Sequence, residues 1–95
     1  METTTTEFDR AIRALRAAGA PITEARLVGA TRGARPAGVS AVMVYRYRKG
    51  KAVPGADVAT ALAAYLRREN AALQRDRRPY RSAEVTTERL FGARS

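Results

Sequence analysis

Residues 26–51 carry Arg26, Arg32, Arg35, Arg46, Arg48, Lys49 and Lys51 and not one Asp or Glu. Seven cations in an acid-free window can bind a polyanion, because neutralised phosphates release their condensed counterions. The flanks differ. Residues 1–25 set Arg10, Arg13 and Arg16 against four acids, residues 52–66 hold only Asp57, and residues 67–95 set eight Arg against four acids. The chain's total of +9, with a pI near 11.2, is therefore concentrated in one stretch. A preference for Arg over Lys fits GC-rich coding, but cations outnumbering acids two to one does not follow from it. Nucleic acid is the first expected partner, with an anionic membrane or an acidic protein behind it.

What is missing narrows the chemistry further. The 95 residues contain no Cys and no His, which removes disulfides, thiolate nucleophiles, imidazole bases and most zinc sites. No enzyme, metal or other cofactor, and no small-molecule substrate, is expected. Residues 1–7 (METTTTE) have neither the basic nor the apolar segment of a signal peptide. The longest uncharged run, residues 36–45, falls far short of the roughly 20 residues a membrane span needs. A cytoplasmic, nucleoid-associated protein without membrane contact is expected.

The elements that must position the basic window read as helices. Phe8, Ile12 and Leu15 recur at i, i+4 and i+7 in a helix over 7–18, capped by Thr5 or Thr6 and stopped by Gly19 and Pro21. Thr23 opens a short helix over 24–32. Gly33, Pro36 and Gly38 then make the segment 33–38 a loop. Ser40 opens a helix over 41–49 that Gly50 ends, although its β-branched and aromatic residues leave a strand as a competing assignment. A longer helix over 56–74 carries Val58, Leu62, Tyr65, Leu66 and Leu73. Beyond Pro79 the chain is polar except for Tyr80, Val85, Leu90 and Phe91. It reads as two parts: a domain over 1–78 and a basic tail or dimerisation arm over 79–95. The arm should be dispensable for folding.

Residues 22–32 (ITEARLVGATR) and 39–54 (VSAVMVYRYRKGKAVP) resemble the helix-turn-helix of lambda-repressor-like, Cro-like regulators of the XRE type. The likeness covers residues 23–66 and departs from the family's pattern in its lengthened turn. It implies an all-α domain of four to five helices, with 24–32 as the scaffold helix and 41–49 as the recognition helix. Val39, Val44 and Tyr47 would then face inward. Ser40, Ala41, Val42, Met43, Tyr45 and Arg46 are left for the major groove, with Arg46 suited to guanine and Ala41, Val42 and Met43 to thymine methyl groups. Arg48, Lys49 and Lys51 would meet phosphates. Thr23 would add a contact from a helix N-terminus, and Arg32 and Arg35 one from the loop. The expected function is a phage- or plasmid-type repressor, a homodimer on double-stranded DNA. A small protein-binding inhibitor and a non-specific nucleic-acid-binding protein are the rivals.

Overall fold

Hydroxyl side chains start four of the five α-helices. Thr6, Thr23, Ser40 and Thr86 each accept a hydrogen bond from the backbone N–H three residues on. In this way each satisfies a donor that the first helical turn would leave unpaired. A computed structural model describes residues 5–92. Its helices are α1 (Glu7–Ala17), α2 (Glu24–Thr31), α3 (Ala41–Lys49), α4 (Ala56–Ala72) and α5 (Thr87–Phe91). Two 3-10 turns, Arg75–Arg77 and Ser82–Glu84, lie between α4 and α5. The protein is all-α, and no described residue is in a strand. Among the described residues, no helix is long and apolar enough to cross a membrane.

Helix wins over strand for 41–49 because both ends are fixed locally. Ser40 caps the start, and Gly50, at φ +75°, turns the chain left-handed while Lys51 N–H donates to the Arg46 carbonyl. Only glycine takes that conformation without cost. The periodic residues of α1 meet Leu27 of α2, Val44 and Tyr47 of α3, and Val58, Leu62 and Leu66 of α4 in one core. The expected inward positions Val44 and Tyr47 are buried, and Val39 packs at the edge.

Residues 79–92 are not a separate arm, and this corrects the division at residue 78. Val85 and Leu90 are core residues, and the Phe91 ring lies 4.9 Å from that of Phe8. Three polar staples bring the chain back along α4. Asn70 Nδ2 donates to the Tyr80 carbonyl at 2.8 Å, and Arg67 donates to the Val85 carbonyl at 2.8 Å. Arg78 donates to the carbonyls of Ala71 and Leu73 at the helix's open end. With so few large apolar residues in helices 1–4, the core needs α5 to close it.

Two predictions follow from this packing. Leu90→Ala should cost about 2–5 kcal/mol of unfolding free energy, measured by denaturant titration; a dispensable arm would leave the midpoint unmoved. Tyr65 tests the polar interior. Burial first, and then the Glu69 carboxylate, push its phenol up to about 12, and its Oη has no hydrogen-bond partner among the described residues. The fold therefore holds the proton after the unfolded chain has released it near pH 10. That share of stability is complete below pH 10 and fades as the pH climbs towards 12. Tyr65→Phe should be neutral or stabilising at pH 7 and should flatten the alkaline decline in thermal midpoint.

Candidate nucleic-acid interface

Helix periodicity places Val42, Tyr45, Arg46 and Lys49 at i, i+3, i+4 and i+7, within one arc of α3. The opposite arc holds Val44 and Tyr47, so packing of those two residues turns the first four outward. Val42 is 62% exposed and Tyr45 53% exposed; among the described residues only Val53 is another large apolar side chain so open. Lys49 Nζ lies 5.5 Å from the Tyr45 ring centre, a cation–π distance that stiffens both side chains. Arg46 is exposed and has no hydrogen-bond or ion-pair partner among the described residues. Ser40 and Ala41 lie exposed at the start of this face, and Lys51 is exposed just beyond its end. The result is a ridge with an apolar centre and cationic edges.

Two residues expected to reach DNA, Met43 on the groove face and Arg48 on a phosphate, lie elsewhere. Met43 is half-buried and packs against the core, which removes it from the set facing outward. Arg48 turns inward. Its Nε donates to Asp9 Oδ1 at 2.6 Å and its Nη1 to Glu24 Oε2 at 2.7 Å, leaving the side chain 16% exposed. Burial alone would lower its pKa, but the hydrogen bonds and charge of Asp9, then of Glu24, outweigh that and raise it. Arg48 is thus already neutralised by protein carboxylates and is not available to a phosphate. Its backbone is held as well, because Thr6 Oγ1 donates to the Arg48 carbonyl at 2.8 Å.

The residues of the connection between α2 and α3 also separate. Thr31 is fully buried at the end of α2; its hydroxyl donates to the Val28 carbonyl at 2.6 Å and accepts from the Val39 N–H at 2.9 Å. One oxygen therefore joins the two ends of the excursion over 32–38. Gly38 makes this closure possible. Its φ is +70°, and a Cβ there would sit 3.0 Å from Thr31 Oγ1 and 3.3 Å from the Val28 carbonyl oxygen. Within the excursion Arg32 is exposed, while Arg35 Nε lies 3.6 Å from Asp57 Oδ2 on α4. That pair is open to solvent and weak, but it draws Arg35 towards α4. Thr23 is exposed at the start of α2, where its hydroxyl accepts from the Arg26 N–H.

Sequence reasoning overlooked Thr31, Asp9 and Glu24, the residues that set the pose of α3. Asp9 had a readable sign: a carboxylate on the same turn as the apolar stripe of α1, where only a paired charge is tolerated. Comparison with family models, with curated proteins and with solved structures gives no match to this chain.

The pose of α3 gives a direct prediction. Arg48→Met keeps most of the apolar stem but leaves Asp9 buried with Arg13 as its remaining ion-pair partner. It should cost about 3–5 kcal/mol. Glu24→Gln, at the more exposed end, should cost about 1 kcal/mol or less. Chemical denaturation of both variants checks the order.

Proposed function

We propose that this chain is a sequence-specific double-stranded-DNA-binding transcriptional regulator, a repressor of the phage or plasmid kind. It acts as a homodimer in the cytoplasm, on the nucleoid. The observation that carries the reading is the outward stripe of α3. Val42 and Tyr45 cost solubility and contribute nothing to the core, yet they stand in the middle of a helix face edged by Arg46 and Lys49. A major groove about 12 Å wide accepts such a helix, and its base edges offer what the stripe complements. The thymine methyl matches Val42 and Ala41, while guanine O6 and N7 match the Arg46 guanidinium.

The closure of the α2–α3 connection supports the same reading. A helix-turn-helix needs its second helix to follow closely on the first. The Thr31–Val39 hydrogen bond brings the two helices' ends together despite the extra residues between them. Lys49, Lys51, Arg32 and Thr23 then meet phosphates around the groove, with Arg35 joining if it leaves Asp57. One such module reads only a few base pairs. A two-fold dimer on a pseudo-palindrome, with half-sites about 34 Å apart, supplies the remaining specificity.

Two substitutions separate base reading from general attraction. Arg46→Ala should cost about 1–3 kcal/mol on a duplex selected from a random library and much less on a scrambled one. Lys51→Ala should weaken both duplexes alike and lower the salt slope by about one unit. Binding titrations at several salt concentrations decide between these outcomes. Equal losses from both variants on both duplexes would reduce the site to an unspecific basic surface.

A further inference from the structure

A second group of cations lies at the other end of α4, in the run RDRRPYR over 75–81. Four arginines and one aspartate within seven residues would suit a solvated, mobile segment, but this backbone is tied down on both sides. Arg78 donates through Nε to the Leu73 carbonyl and through Nη2 to the Ala71 carbonyl, closing the open end of α4. Asn70, 2% exposed, donates to the Tyr80 carbonyl, and the Glu84 carboxylate accepts the Arg81 N–H at 2.7 Å. Between these ties the backbone is extended at Gln74, Arg78 and Arg81, with a single 3-10 turn over Arg75–Arg77. The side chains of Arg75, Arg77 and Arg81 contribute nothing to that order. All three are exposed, and none donates to a carboxylate or a carbonyl among the described residues.

We propose that Arg75, Arg77 and Arg81 form a second surface for the phosphate backbone of nucleic acid, distinct from α3. Because the backbone that carries the three guanidinium groups is already ordered, binding costs the freedom of the side chains and little of the backbone's. Guanidinium forks match phosphate oxygens in pairs, and two of these stand on the 3-10 turn with the third on the extended backbone at Arg81. The surface is separate from the α3 ridge. It stands on a different element: Gly50 ends α3, Gly55 precedes α4, and the 17 residues of α4 come between them in the chain before Arg75 is reached. Backbone contacts from outside α3 add affinity and hold the protein on the polymer without reading bases. The inference rests on the chain's binding nucleic acid, and it is independent of which helix reads sequence.

The test is a triple variant, Arg75→Ala with Arg77→Ala and Arg81→Ala, in the full chain. Since these side chains bond to nothing in the fold, its thermal midpoint should stay with that of the parent protein. Titrated with 40-base-pair selected and scrambled duplexes, it should lose about two to three units of slope in log K against log salt on both. Its preference for the selected duplex should not change. An unchanged slope would overturn the proposal. So would a variant that keeps its duplex affinity while losing attachment to vesicles of anionic lipid, since the cluster would then serve a membrane. Failure of the α3 reading looks different. Arg46→Ala would then leave the selected-to-scrambled ratio intact, whatever the triple variant does.

Discussion

The pose of α3 depends on the Arg48 guanidinium, which binds Asp9 of α1 and Glu24 of α2 at the same time. A core made largely of Ala, Val and Leu gives little directional information, since such side chains pack in several ways at similar energy. A planar cation with fixed donor directions does not. It specifies one rotation of α3 about its axis and one distance from two neighbours. Thr6 completes the joint by capping α1 through its acceptor lone pairs and fixing the Arg48 carbonyl through its hydroxyl proton. The buried charge costs desolvation, so its value lies in specifying geometry more than in net stability.

The arginines divide by what they bond to, and this division organises the molecule. Arg16, Arg67 and Arg78 close backbone carbonyls at loop and helix ends, and Arg48 joins three helices. Among the described residues Arg32, Arg46, Arg68, Arg75, Arg77 and Arg81 are exposed and remain open. A charge total counts all of these equally. Only the contacts distinguish cations that hold the fold from cations left for a partner, and the open ones lie on the α2–α3 connection, on α3, on the outer face of α4 and just beyond its end.

Helices α1 to α4 were legible because each combines an apolar period with a local start or stop. Phe8, Ile12 and Leu15 declare α1 without reference to anything distant; for α3, Ser40 and Gly50 mark the ends, but its β-branched and aromatic residues left a strand in competition. Arg48 was not legible, because Arg46 and Arg48 are chemically identical and differ only in which way α3 faces. That rotation is fixed by Asp9, 39 residues away in the chain. The packing of residues 79–92 was hidden for a related reason. α5 has only five residues, too short to show a period, and its start at Thr86 reads as one more polar residue in a polar stretch. Its stability comes from Phe8 and α4, not from its own sequence. The outward stripe of α3 was largely readable once Val44 and Tyr47 were taken as its inward side; Met43, on the flank, was the residue misplaced.

The Thr31–Val39 hydrogen bond has a consequence for how such a chain can change over generations. Because the contact closes at the base of the excursion over 32–38, the spacing of α2 and α3 no longer depends on how many residues the excursion holds. At its exposed tip, Pro36 and Ala37, added residues chiefly cost loop-closure entropy, about 0.6 kcal/mol for each doubling of length. That tip can then change in length while Thr31, Gly38 and Val39 keep the two helices in register. The lengthened turn is a place where contacts beyond α3 can diversify without disturbing α3 itself.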